Sequence, residues 1–211
     1  MNTNIIMKSY KYAITPGEIG FDFDGVIADI AEAFLRIACE EHDYCSFSID
    51  DITSFQVEEC LNMTISLVEQ IFDDILHDSL GTGLKPMPGM VEVLSELAGL
   101  APVTIITARP QSQPVADWLD NFLPARTCGR VNLIAMGDHD GKIRYIHNEG
   151  LRYFVDDRTK TCELLHDADI TPLVYSQPWN RNRHTFQTVE SWQEIRAMVS
   201  HPDLRSRSVH E

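Results

Sequence analysis

From residue 90 onward, short apolar runs of strand length alternate with segments whose apolar residues fall at helical spacing, and this alternation constrains the fold more than any other feature. The runs at 103–106, 131–135, 152–155 and 172–175 are the predicted strands. Between them lie a helical pattern ending near Ala98, one carrying Val115, Trp118, Leu119 and Phe122, and two more near 143–147 and 161–166. Such chains build an α/β fold, a parallel sheet with helices on both faces. Open sheets of this class take their ligands at the carboxyl ends of the strands.

The texture differs between residues 30 and 83, which read as helices only. Ile30, Phe34, Ile37 and Ala38 share one helical stripe, and Ile65, Val68, Ile71, Phe72, Ile75 and Leu76 share another. The turns Gly81-Thr82-Gly83 and Pro86-Met87-Pro88-Gly89 close this stretch. Ahead of it, Ile19, Phe21 and Phe23 form a short strand interrupted by Glu18 and Gly20, and residues 10–14 are a candidate edge strand. At the other end, residues 189–198 read as an amphipathic helix anchored by Trp192, followed by a frayed tail.

Composition narrows the function classes. A chain of 211 residues with 44% hydrophobic content can bury a substantial core and carry a small accessory domain. Its formal net charge of -15 repels a nucleic acid backbone or an anionic membrane, so neither polymeric nucleic acid nor a membrane is an expected partner. A small phosphorylated substrate fits an acidic protein if a divalent cation sits where the carboxylates converge. Five cysteines without a C-x-x-C pair argue against a disulfide framework and a zinc ribbon, leaving reduced thiols and a cytoplasmic location as the expectation. The N-terminus has no continuous apolar core of a secretory signal, and no stretch reaches membrane-spanning length. A homodimer is left open.

Four segments carry candidate chemistry, and the acidic and hydroxyl ones stand at predicted strand ends. Phe21-Asp22-Phe23-Asp24-Gly25 aims two carboxylates off the first strand, Thr107 ends the run 103–106, and Asp156-Asp157 ends the run 152–155. Lys142 is the only lysine between Thr107 and Asp156. Phosphate monoesters hydrolyse very slowly unaided, so catalysis needs a nucleophile, a proton donor to the leaving oxygen and positive charge around the transferring group. Asp22 is the candidate nucleophile, forming an aspartyl phosphate. Asp24 is the candidate general acid and base. Thr107 would donate to a phosphoryl oxygen, and Lys142 would offset the gathered negative charge. Mg²⁺ takes oxygen ligands and keeps several waters, which makes Asp22, Asp24, Asp156 and Asp157 its candidate ligands. Thr107, Ala108, Arg109 and Lys142 are the candidate substrate-binding residues. Arg109 and Arg181, each near a strand end, are suited to a bidentate grip on phosphate or carboxylate.

Each segment also has a blander reading. An EF-hand beginning at Asp22 would need a bidentate Glu where Ala33 stands. Gly137-Asp138-His139-Asp140-Gly141-Lys142 is too short between its glycines for a phosphate-binding P-loop, and Ile143 replaces the required hydroxyl. His139 and His147 read as surface residues. Thr107, Lys142 or the Asp156-Asp157 pair taken singly would be ordinary strand-end, solvated or helix-capping residues.

Taken together, Asp22 with Asp24, Thr107, Lys142, and Asp156 with Asp157 resemble the motif set of haloacid dehalogenase superfamily phosphatases. The likeness covers residues 15 to about 176. It implies a Rossmann-like, doubly wound parallel-sheet core formed by 1–29 and 84–211, with 30–83 a small helical cap inserted after the first strand. Members that dehalogenate lack the second Asp of the first motif, so Asp24 points to a phosphatase. Asp22 to Asp29, the Pro86-x-Pro88-Gly89 turn and Val155-Asp156-Asp157-Arg158 resemble, more narrowly, the 5'-deoxyribonucleotidase-like branch, which implies nucleoside 5'-monophosphates as substrates. That branch stacks the base on cap aromatics. Here no Trp lies in 30–83, and Phe34, Tyr44, Phe47, Phe55 and Phe72 are the platforms available, with cap packing the role they favour. Trp118, Trp179 and Trp192 are assigned to the core. Two alternatives keep the same fold: a phosphatase of a sugar phosphate or other small metabolite, and a protein that binds phosphate or a partner without turnover.

Overall fold

A computed structural model of the chain describes residues 13–138 and 141–199. Among them, six parallel strands form one sheet: β1 (Ile19–Phe21), β2 (Val103–Thr107), β3 (Val131–Ala135), β4 (Tyr153–Asp156), β5 (Thr171–Tyr175) and β6 (Gln187–Val189). Their spatial order is β3-β2-β1-β4-β5-β6. The order reverses between β1 and β4, the switch point at which doubly wound sheets open a crevice for ligands. Phe21 is in register with Ile105 of β2 on one side and Val155 of β4 on the other, so the chain leaving β1 emerges between the ends of both neighbours.

Successive residues of each strand face opposite sides, and the core divides accordingly. Ile105, Tyr153 and Val155 join the larger apolar cluster, whereas Ile106 and Phe154 join a smaller one with Ile146, Leu151, Leu165 and Ile170. Both faces are therefore covered, as the apolar runs predict for a parallel sheet. The helices that cover them, or join the strands, are α3 (Met90–Leu100), α4 (Gln113–Phe122), α5 (Ala125–Cys128), α6 (Lys142–Asn148), α7 (Thr159–Asp167) and α8 (Trp192–Met198).

Two helices, α1 (Ile30–His42) and α2 (Ile65–His77), precede this block and pack through Phe34 and Phe72, whose rings stack at 4.8 Å. The segment is entered and left through paired chain: Asp29 N–H donates to the Lys85 carbonyl at 2.8 Å and Met87 N–H to Ile27 at 2.9 Å. Two buried indoles fasten these connectors. Trp192 Nε1 donates to the Val26 carbonyl (2.9 Å) and Trp118 Nε1 to that of Leu84 (2.8 Å).

Several sequence expectations need correction. Residues 43–64 are mostly turns with two single 3₁₀ turns at Ile49–Asp51 and Val57–Glu59, not continuous helix. The C-terminal helix is shorter than 189–198: Gln187–Val189 is an edge strand, and Ser191 caps α8 by accepting the Glu194 N–H at 3.3 Å. Cys39 and Cys45 form a disulfide, against the expectation of reduced thiols throughout. Asp43 ends α1 at φ 63°, and this left-handed residue turns the chain back so that two cysteines six apart meet. Cys60, Cys128 and Cys162 are free thiols. Of the candidate edge strand, Ile14 bridges to Val199 in parallel, while residues 10–12 lie outside the described residues, as do His139 and the C-terminal tail. His147 is exposed, as expected.

Candidate active site

Asp22 and Asp156 reach the switch point from adjacent strands. The Asp22 N–H continues the β1–β4 ladder to the Val155 carbonyl at 2.9 Å, which places its side chain beside the end of β4. Carboxylate oxygens of Asp22, Asp156 and Asp157 all lie within 4.8 Å of one another. Lys142, the first residue of α6, joins this cluster, with Nζ 2.8 Å from Asp22 Oδ2 and 2.6 Å from Asp156 Oδ2.

Backbone donors hold the acids in place. Phe23 N–H donates to Asp22 Oδ1 (2.7 Å) and Arg158 N–H to Asp156 Oδ1 (2.9 Å). Asp157 Oδ2 accepts from Trp179 Nε1 at 3.0 Å, while Asn180 Nδ2 donates to the carbonyls of Asp157 and Tyr175, both at 2.8 Å. Gly25 makes the close approach of the first motif to Asp157 feasible. It adopts φ 75°, and a Cβ there would collide with the Asp157 carboxylate.

Three acids against one ammonium leave an excess of negative charge away from water, and the protonation equilibria respond. Burial pushes the Asp22 carboxyl up to about 7, Lys142 working against the rise and Asp156 adding to it. Burial, followed by the charges of Asp156 and Asp22, pushes Asp157 well above the usual carboxylate range. For Lys142, burial acts to lower the value, but Asp156 and Asp22 outweigh it and hold the ammonium above its ordinary range. The donor set is hard oxygen, convergent and short of positive charge, which fits a cation such as Mg²⁺.

The cluster forms the floor of a cavity of about 280 Å³. Thr107, Ala108 and Asp24 also line it, and its walls are mostly apolar, with Phe34, Phe55, Phe72, Ile52 and Val57 contributed by the segment between β1 and α3. Thr107 is buried, and its Oγ1 accepts the Arg109 N–H at 3.2 Å. Tyr44 and Phe47 stack on each other at 6.1 Å and do not line the cavity.

Three of the candidate residues meet partners within the protein itself. The Asp24 carboxylate is outside the cluster of three: Arg109 grips it in a fork, Nε to Oδ2 at 2.8 Å and Nη2 to Oδ1 at 2.7 Å. Arg109 is thereby spent on Asp24 rather than on the cavity, which it does not line. Arg181 is also absent from the lining and pairs with Asp50 at 3.0 Å. Conversely, Trp179, Thr161 and Arg158 line the cavity, Arg158 with its guanidinium 5.3 Å from the Phe55 ring centroid. The only sequence hint for Trp179 was its loop, which leaves the end of β5 beside the switch point.

With this geometry in view, the comparisons with known proteins are specific. Residues 17–208 match the family model described as "5' nucleotidase, deoxy (Pyrimidine), cytosolic type C protein". The chain belongs to this family. A curated protein of Oceanobacillus iheyensis, named "Putative nucleotidase", is 24% identical over 186 residues, 84% of this chain and 96% of that one. Among solved structures, a haloacid dehalogenase-like hydrolase of Streptococcus pneumoniae superposes with TM-score 0.58 at 14% identity, covering 85% of this chain and 96% of its own. A protein of Lactobacillus plantarum titled "putative phosphoglycolate phosphatase" superposes with TM-score 0.60 at 13% identity, covering 88% of this chain and 100% of its own. At such identities these structures show the fold alone. Family membership makes the chain a haloacid dehalogenase-type phosphatase, a hydrolase of phosphoric monoesters. No helix among the described residues is long and apolar enough to cross a membrane.

Proposed function

We propose that this nucleotidase-family phosphatase hydrolyses nucleoside 5'-monophosphates through an aspartyl phosphate on Asp22, with Mg²⁺ held by Asp22, Asp156 and Asp157. One observation carries the reading: a buried cluster of three carboxylates and an ammonium forms the floor of a cavity whose walls are apolar and aromatic. The floor suits a phosphoryl group together with a divalent cation. The aromatic walls suit the flat π face of a nucleobase, which a small sugar or acid does not present. We also take residues 30–83 as a cap domain over a core of 1–29 and 84–211, since that insert supplies the aromatic wall.

In this mechanism an Asp22 oxygen attacks phosphorus and the ester P–O bond breaks. The leaving oxygen takes that electron pair and a proton from Asp24. Asp24, now a carboxylate, takes a proton from water; the water oxygen bonds to phosphorus, and the acyl phosphate P–O bond breaks to restore Asp22. Thr107 donates its hydroxyl to a phosphoryl oxygen, and Lys142 keeps Asp22 and Asp156 from repelling the incoming anion. Bound Mg²⁺ supplies charge neutralisation on the transferring group.

The test is phosphate release from a panel of nucleoside monophosphates, sugar phosphates and phosphoglycolate, with Mg²⁺ and with EDTA. We expect preference for nucleotides, loss in EDTA and loss in Asp22→Asn. Equal rates on nucleotides and small phosphate esters would remove the nucleotide assignment, and release unaffected by EDTA would remove the metal.

A further inference from the structure

Arg109 is bound on every side before any substrate is considered. Its side chain is 2% exposed. Two of its nitrogens hold Asp24 in the fork described above, and a third, Nη1, donates to Ser79 Oγ at 2.6 Å. Ser79 follows the end of α2, is itself buried, and passes its own hydroxyl hydrogen to the Ile75 carbonyl at 3.0 Å. The guanidinium also lies over the Phe23 ring, 4.9 Å from its centroid. Its backbone N–H is tied to Thr107. A cation so placed is joined to the first motif, to the end of β2 and to the segment that walls the cavity, yet does not line the cavity itself.

From this arrangement we infer that Arg109 is a positioning residue for Asp24, and that Ser79 sets the orientation of Arg109. The inference rests on the reading of Asp24 as the acid and base of phosphoester cleavage. A fork occupies one lone pair on each carboxylate oxygen and leaves another free, so Asp24, which lines the cavity, stays able to give or take a proton there while its rotamer is held. Without the fork the short side chain rotates, and proton transfer to the leaving oxygen loses its geometry. Because Ser79 belongs to the same insert as Phe34 and Phe72, the proton donor and the aromatic wall are referenced to one body. A substrate that seats against the wall is thereby aligned with Asp24.

Proton donation matters most when the leaving group is a poor one, and that separates positioning from substrate binding. Rates are compared for thymidine 5'-monophosphate, whose alkoxide leaves poorly, and p-nitrophenyl phosphate, whose phenolate leaves well. Arg109→Lys retains the charge without the fork. We expect it to lower kcat on the nucleotide by about tenfold to a hundredfold, the cost of displacing a catalytic group by about an ångström, with KM little changed. The p-nitrophenyl phosphate rate should fall several-fold less. Ser79→Ala should show the same pattern more weakly. In an Asp24→Asn background, either change should add little, because groups that act through one another are not additive. The ratio of the two rates is internal to each preparation, so partial unfolding of a variant cancels. Equal losses on both esters, or losses that multiply with Asp24→Asn, would show that Arg109 binds the phosphoryl group and would overturn the inference; unchanged rates in both variants would do the same. If Asp22→Asn leaves hydrolysis of both esters intact, the proposed mechanism fails first, and this inference with it.

Discussion

Replacing Lys142 by Met removes the ammonium between Asp22 and Asp156 while keeping an unbranched side chain of similar length. Its two contacts, 2.8 Å and 2.6 Å, are each worth about 6 kcal/mol of Coulomb attraction at an effective dielectric of about 20. Most of that gross attraction offsets the desolvation of three charged groups, so the net change is much smaller. Removing one partner of a buried ion pair costs about 3–5 kcal/mol, chiefly because the remaining charges are left uncompensated. We therefore expect Lys142→Met to lose about 4 kcal/mol of unfolding free energy at pH 8 in EDTA. The deficit should shrink towards pH 6. Asp22, with its pKa raised to about 7, is mostly ionised at pH 8 and mostly protonated at pH 6, where the missing ammonium has one carboxylate fewer to neutralise. Millimolar Mg²⁺ should shrink it as well, by supplying another cation to the same oxygens. Urea unfolding followed by tryptophan fluorescence, in EDTA and in Mg²⁺ at both pH values, measures all four quantities. A deficit under about 1 kcal/mol at pH 8 in EDTA, or one that grows as pH falls, would refute the view of Lys142 as the counter-ion of a buried acid cluster.

Other perturbations bear on the metal and the cavity wall. Because the folded-state values of Asp22 and Asp157 are raised, Mg²⁺ must displace protons to bind; calorimetry in buffers of differing ionisation enthalpy should show proton release, and the half-saturating Mg²⁺ concentration should rise as pH falls from 8 to 6. A pH-independent affinity would contradict the raised values. Trp179→Phe deletes the indole N–H that orients Asp157 and should weaken Mg²⁺ activation by about tenfold to a hundredfold, with no loss at saturating metal. Phe55 is 45% exposed, so Phe55→Ala should alter stability by less than about 0.5 kcal/mol in urea titrations. The same variant should raise KM for a nucleoside monophosphate by about fivefold, the low end of base stacking, and leave KM for phosphoglycolate unchanged.

What the chain discloses in its sequence follows from the range over which each feature is encoded. Asp22, Thr107 and Asp156 are legible because each ends an apolar run, and in a parallel sheet every such end points the same way. Lys142 needed only a further premise, that gathered carboxylates require a cation. The particular partners of Trp179 and Arg109 were not legible, for the same reason in each case. Their partners lie 22 and 85 residues away, and neither local spacing nor residue type states which carboxylate a buried donor will meet. The strand β6 escaped notice because three residues carry too little periodicity to compete with the helical pattern that follows. The Cys39–Cys45 link was hidden by a single left-handed residue, Asp43, whose backbone no cysteine count can reveal.

The fork between Arg109 and Asp24 shows how much this distinction matters for function. Two acids two residues apart look alike in sequence, and both were candidates for the metal. The fold separates them by what surrounds each. Asp22 faces two other carboxylates and an ammonium, where a divalent cation would relieve the repulsion. Asp24 faces a guanidinium that already matches both of its oxygens, so its charge is met by the protein itself. On the proposed mechanism, a carboxylate satisfied in this way keeps its outward lone pairs for proton transfer. On the proposed mechanism, the division of labour between the two acids would arise from their partners at the ends of β2 and β4 and on α6 rather than from the motif that contains them.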